Sequence, residues 1–316
     1  MFTLSKIEPK LSLSIGSCRD LIAIAKEYGG RSLLICSPIE DRKAIELVKE
    51  QLKINKIIFI QENHINGHLN TDTLNKIVSR SKDFNLDSII SLGDFNQRMS
   101  GRFISEALNI PCFELPTIPS NPLLLYPKAI YSNRVGDDFA TIHLNTERIK
   151  GIAIDPPLQR ESTPMELLLS ALAILQDLAQ LFTLENNPIA TLGSRTLFNQ
   201  LLLDIEGDKL TLESLILYGT SASFYHAASK DIELHLTIYS WLLEYRFKYS
   251  YKLAIPKLLP WLLDNRQEPE LATRVREILS NKKLDGRLVE LGFSLEQLLS
   301  IVGHSTNIID IIEKAF

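Results

Sequence analysis

The chain is poor in cysteine. Cys18, Cys36 and Cys112 are its only three, an odd number with no C-x-x-C spacing. That excludes a disulfide framework and a zinc ribbon, and predicts buried free thiols in a reducing compartment. Long apolar runs are also missing. The longest, Leu167–Leu175, is half the ~18 residues that a membrane span requires. The opening segment MFTLSKIEPKLSL lacks the apolar core of a signal peptide, so a cytoplasmic protein is expected, with no membrane partner. Basic charge is not in excess: 34 Lys and Arg stand against 38 Asp and Glu, for a net charge of −4. Bases sit among acids, as at Glu40-Asp41-Arg42-Lys43, which reads as a solvated helix face and gives no nucleic-acid footprint. There is no Walker loop, no HExxH, no GxSxG elbow and no kinase set, so phosphoryl transfer and serine hydrolysis have no basis here.

What is present is a chain of 316 residues, 45% apolar and 23% charged, long enough for two globular domains. The first half alternates short apolar strands with amphipathic helices. Strands are expected at Leu11–Ile15, Ser32–Cys36, Lys56–Ile60, Ile89–Leu92, Cys112–Leu115 and Lys150–Ile154, and helices at Cys18–Tyr28, Asp41–Leu52 and Thr71–Phe84. This rhythm predicts a parallel sheet with right-handed crossovers. A further strand pair, Ala129–Ser132 with Thr141–Leu144, is expected at the sheet edge.

Asp155-Pro156-Pro157 ends the alternation, and after Pro164 the apolar period is helical. Pro164–Phe182 reads as a buried central helix. Helices are expected at Arg195–Leu203, Thr211–Ser229, Ile232–Tyr249, Ile255–Leu263, Glu268–Ser280, Leu284–Leu291 and Leu295–Val302, the last capped by Ser294 with Gln297. The predicted fold class is an α/β N-terminal domain with a Rossmann-like parallel sheet, residues 1–158, followed by an all-helical domain, residues 159–316. An aromatic cluster, with Tyr239, Trp241, Tyr245, Phe247, Tyr249, Tyr251 and Trp261, reads as packing core or as a pocket lining.

The run from Ile89 to Thr117 is a strand–loop–helix–strand unit of the kind that binds nucleotide phosphates. Several segments resemble marks of the dehydroquinate synthase-like superfamily, which includes iron-containing alcohol dehydrogenases, glycerol and glycerol-1-phosphate dehydrogenases and sugar-phosphate cyclases. They are Ser14-Ile15-Gly16, Gly30–Ile35, Asp87–Gly93, Ile110-Pro111 through Pro116-Thr117, and Ile154-Asp155-Pro156. The resemblance implies NAD or NADP at the loop, a divalent metal (zinc or iron) and a small-molecule substrate in an interdomain cleft, hydride transfer to or from an alcohol, and assembly as a homodimer. For the nucleotide it implies Gly93, Asn96, Arg102 and Thr117. For the metal it implies Asp177, His226 and His235, a two-histidine, one-carboxylate set.

The chain departs from that pattern. The family's Gly-Gly-Gly-Ser loop is here Gly93-Asp94-Phe95-Asn96, its later Asp and Lys positions hold Met99 and Arg102, and the expected metal-binding Asp falls at Ala173 or Ile174. The function implied is a divergent NAD(P)-dependent, metal-assisted alcohol or polyol (or polyol-phosphate) dehydrogenase. The alternative is a catalytically inactive relative that kept the fold and binds another small molecule or a protein partner. A cyclase would need basic phosphate ligands, for which Arg134, Arg148 and Lys150 stand as candidates. His64, His68, His143 and His304 have no motif spacing.

Overall fold

A computed structural model describes residues 10–37, 41–63, 71–119, 124–125, 128–132, 139–143, 148–160, 163–182, 187–229, 235–247, 249–301 and 306–316. The chain divides into two compact units, Met1–Glu161 and Ser162–Phe316.

The first unit runs β1 (Lys10–Leu13), α1 (Ser17–Tyr28), β2 (Arg31–Ile35), α2 (Arg42–Ile54), β3 (Ile58–Glu62), α3 (Thr71–Lys82), β4 (Ser88–Gly93), α4 (Phe95–Leu108), β5 (Cys112–Pro116), β6 (Lys128–Ser132), β7 (Phe139–His143) and β8 (Ile149–Ile154). Six strands form one sheet in the order β1-β8-β5-β4-β2-β3, and every neighbouring pair is parallel. The all-apolar runs explain this arrangement, because a strand covered on both faces has no solvent side to make polar. Leu34, Ile90, Leu92, Phe113 and Leu115 join one buried cluster with Leu21 and Ile22 of α1 and Val48 and Leu52 of α2. The face under α4 is different. There Ser91, Cys112 and Glu114 meet the helix, and a Cβ on Gly101 would lie 1.7 Å from the Ser91 hydroxyl. Only a glycine lets α4 come so close to the sheet.

The expected β6–β7 pair exists, in antiparallel register from Lys128↔His143 to Ser132↔Phe139. It is a separate two-stranded sheet, not the edge of the large one, whose edges among the described residues are β1 and β3.

The second unit holds α5 (Pro164–Ala179), α6 (Pro188–Glu206), α7 (Leu212–Ala228), α8 (His235–Phe247), α9 (Tyr251–Asn265), α10 (Pro269–Asn281), a 3-10 turn at Leu288–Leu291, α11 (Leu295–Leu299) and α12 (Thr306–Ala315). The Thr163/Glu166 capping box starts α5, and every residue from Leu168 to Ala179 is buried. That is the central helix the apolar run predicts. Ser294 and Gln297 form the expected capping box of α11. Asn187 caps α6 at Ala190, so the helix begins a turn or more before Arg195. Leu284–Leu291 is not a helix throughout; Gly286, at φ 138°, interrupts it and leaves the short turn Leu288–Leu291. No helix among the described residues is long and apolar enough to cross a membrane.

Candidate functional site

The loop after β4 is set by Gly93. Its φ of 146° disfavours any side chain, and a Cβ there would meet the Gln97 side chain at 2.8 Å. The Gly93 carbonyl accepts the Thr117 amide at 3.1 Å, which fixes the loop against the end of β5. Asp94 then caps α4, its Oδ1 accepting the Asn96 amide at 3.0 Å. The other carboxylate oxygen lies 3.7 Å from Arg160 Nη2. Arg160 also donates to Asp41 through Nε at 2.8 Å and Nη2 at 3.2 Å.

Beneath the helix, Arg98 and Arg102 converge on Glu114 of β5, and all three side chains are fully buried. Arg98 Nε donates to Oε2 at 2.9 Å. Arg102 donates to Oε1 at 2.5 Å, to Oε2 at 2.9 Å and to the Leu124 carbonyl at 2.8 Å. Burial alone would push the Glu114 carboxyl up, but the Arg102 and Arg98 guanidiniums outweigh it and hold the group below the usual carboxylate range. Burial and its neighbour Arg102 lower Arg98, against the pull of Glu114.

Asp41, Asp94 and Glu114 thus alternate with Arg160, Arg98 and Arg102, three charges of each sign. Arg102, expected at the nucleotide, is committed to Glu114. Thr117 Oγ1, Asn96 Oδ1 and Gln159 Oε1 are buried and without a hydrogen-bond partner among the described residues. Gln159 presents its oxygen because its Nε2 donates to the Pro116 carbonyl at 2.7 Å. Pyrophosphate needs donors and positive charge at a helix start. This loop offers a carboxylate, two amide acceptor oxygens and the single hydroxyl donor of Thr117, and its guanidiniums are already paired, so its residues do not fit the pyrophosphate of NAD(P).

Asp155, in the turn after β8, accepts the amides of Gly16 at 3.1 Å and Cys18 at 3.0 Å. Two of the segments that carried the resemblance, Ser14-Ile15-Gly16 and Ile154-Asp155-Pro156, are therefore in contact, the carboxylate serving the start of α1.

In the helical unit, Asp177 and His226 are brought together. His226 Nε2 lies 2.9 Å from the Asp177 main-chain carbonyl, so Nε2 carries the proton and Nδ1 the lone pair. Nδ1 is buried and unpartnered among the described residues. Burial moves His226 down to about 4, the carbonyl bond opposing it, so the imidazole is neutral near pH 7. Asp177 Oδ1 accepts the Thr237 hydroxyl at 2.5 Å. Burial raises its carboxyl to about 7, with the Thr237 bond pulling the other way. Gln180 extends the network, donating to Thr237 Oγ1 at 2.8 Å and accepting the Leu236 amide at 3.2 Å. His235 opens α8; its side chain lies outside the described residues. Ala173 and Ile174 are buried in the core. Among the described residues no three His, Cys, Asp or Glu side chains are grouped to hold a metal ion. A carboxyl and a neutral imidazole with an unused lone pair are donor types that a divalent metal takes, and here the contact between the two residues runs through the Asp177 main-chain carbonyl.

Of the aromatic cluster, Tyr239 is core, and Phe247 and Tyr249 pack on Phe293 at centroid distances of 4.5 and 6.4 Å. The side chains of Trp241, Tyr245 and Tyr251 lie outside the described residues, as do His64, His68, Arg134 and His304.

No family model matches the sequence, and no curated protein matches it. Solved structures do. The iron-containing alcohol dehydrogenase of Thermotoga maritima superposes with a TM-score of 0.80 over 98% of both chains, at 13% identity. The NADH-dependent butanol dehydrogenase A of the same organism gives 0.81 over 100% of this chain and 98% of its own, again at 13% identity. The chain has the fold of the iron-containing alcohol dehydrogenases. Maleylacetate reductase from Agrobacterium tumefaciens follows at 0.76 and 15% identity, covering 100% of this chain and 98% of its own. The fold expected from the resemblance to the dehydroquinate synthase-like superfamily is borne out, and at these identities it is the fold alone that the likeness shows.

Several residues that build these regions gave little sign in the sequence. Asp41, Arg160, Thr237 and Gln180 carry no motif. Glu114 did offer one, as the single charge in an otherwise apolar strand (CFELP), and Arg98 and Arg102 stand one helical turn apart to meet it.

Proposed function

We propose that this chain is a divergent, metal-assisted oxidoreductase-like protein acting on an alcohol or polyol (or polyol phosphate). Asp177, His226 and His235 would hold a zinc or iron ion, and NAD(P) is the cofactor the fold's likeness implies. The observation that carries the reading is the apposition of Asp177 and His226, with a neutral imidazole whose Nδ1 lone pair is buried and unused. A bound divalent ion would stabilise an alkoxide as a Lewis acid. This chain's own residues would orient that chemistry: Thr237 fixes the Asp177 carboxyl, and the Asp177 carbonyl fixes the His226 tautomer. Metal analysis of the purified protein, followed by zinc titration read by melting temperature, tests it. One tightly held zinc or iron per chain is expected; absence of both, with no thermal response to added zinc or iron, overturns it. Assembly as a homodimer is checked in the same samples by light scattering.

A second reading is favoured by one observation, the Asp94 carboxylate capping α4. In it the frame is kept and the ligand is another small molecule or a protein partner. Titration with NADH and NADPH separates the two. A dinucleotide at 100 times its dissociation constant stabilises by about 2.7 kcal/mol, and a flat response to both favours the second reading.

A further inference from the structure

We propose that Asp94 is a built-in substitute for a phosphate: its carboxylate occupies the anion position at the start of α4 and closes the loop to phosphoanions. This goes beyond both readings above, since it concerns one loop of the first unit and holds with or without a metal in the second.

The elements of an anion site are present. A buried strand enters the tight turn at Gly93, a helix of 14 residues starts at Phe95, and a guanidinium stands beside it. Asp94 uses each of them. One of its oxygens takes the Asn96 amide at 3.0 Å, and the other faces Arg160 at 3.7 Å. Arg160 is held in place by its two bonds to Asp41, and its own amide donates to the Thr117 carbonyl at 3.0 Å. The cations beneath the helix are engaged by Glu114. At this loop the buried side-chain atoms without a partner among the described residues include the amide oxygens of Asn96 and Gln159, which can only accept, and the Thr117 hydroxyl, a single neutral donor. A phosphate arriving here meets two acceptors, a carboxylate and one hydroxyl in a neighbourhood whose ionic charges already cancel. A dinucleotide that serves this chain is therefore held through parts other than its pyrophosphate.

Removing the carboxylate should open the site. Asp94→Gly releases the Asn96 amide and removes the carboxylate that faces Arg160. Asp94→Asn keeps a capping side chain and removes only the charge, so it carries the test if the glycine variant does not fold. The probes are ADP and inorganic pyrophosphate, read by calorimetry. Expected are no measurable binding at millimolar concentration to the wild type, a gain of at least about 100-fold in Asp94→Gly (about 2.7 kcal/mol) and about 10-fold in Asp94→Asn. Adding Arg160→Gln to either variant should abolish the gain. Wild-type protein that binds ADP as tightly as the variants overturns the proposal, and so do folded variants that bind no better than wild type. Metal content measured on the same samples reports separately on the helical unit.

Discussion

Asp177 and His226 are coupled to protons with opposite signs, and this makes the stability of the helical unit testable by pH. Burial raises the Asp177 carboxyl to about 7, so the folded chain keeps a proton that the unfolded chain has lost above about pH 4. Stability from this group falls as pH rises through that window. Burial lowers His226 to about 4, so the folded chain stays neutral where the unfolded chain binds a proton below about 6.5. Stability from this group falls as pH drops through the same window. Each proton is worth about 1.4 kcal/mol per pH unit. In the metal-free protein, with chelator present, the two slopes cancel in the wild type between about pH 4.5 and 6. Asp177→Asn, which keeps an acceptor for Thr237, removes one slope. The variant should gain about 1.5–2 kcal/mol relative to wild type between pH 4.5 and pH 6. His226→Gln, which keeps a donor for the Asp177 carbonyl, should lose a similar amount over the same interval. Both tryptophans, Trp241 and Trp261, belong to this unit, so urea unfolding followed by tryptophan fluorescence reads it selectively. Variants whose pH profiles run parallel to wild type would refute the assignment.

Three further outcomes are expected. Glu114→Gln leaves Arg98 and Arg102 buried without their counter-charge and should destabilise the first unit by about 3–5 kcal/mol, seen as a lower urea midpoint in far-ultraviolet circular dichroism; a change under 1 kcal/mol would contradict the buried triad. Asp155→Ala removes the acceptor of the Gly16 and Cys18 amides and should cost about 1–2 kcal/mol, with faster hydrogen exchange at those amides. Cys18 and Cys112 are pushed up to about 12 and Cys36 to about 11 by burial, so Ellman's reagent at pH 8 should label the unfolded chain and leave the native one unmodified over minutes; prompt labelling of folded protein would argue against buried thiols.

The architecture could be read because its signals are local. SLLIC and IISLG are short apolar runs between turn residues, and Pro164–Ala179 is apolar nearly all round. Each names its element before any partner is known. Partner choice is not local. Ala129–Ser132 reads as a strand of a pair, but nothing in those residues says that they avoid the main sheet. The same holds for the site. Gly93 could be read from the strand that precedes it, and Asp177 and His226 from the resemblance. Arg102 was expected at the nucleotide because a cation there suits a phosphate, but its charge is satisfied by Glu114, 12 residues on. Asp94 stands in the sequence as a departure from the Gly-Gly-Gly-Ser pattern, and in the fold as a cap whose second oxygen faces Arg160 from the far end of the unit.

The sheet order has a consequence during synthesis. Among the described residues β1 has one neighbour in the sheet, β8, which pairs Lys10 with Gly151. At roughly 5–20 residues per second, the first strand emerges from the ribosome some 7–30 s before the strand it adds to. The start of α1 waits equally long for the Asp155 carboxylate. The four strands β2 to β5 are contiguous in the sheet and can assemble meanwhile. In a nascent chain β1 and the start of α1 are thus the last described parts of the first unit to be secured, and a protease pulse during translation would cut there.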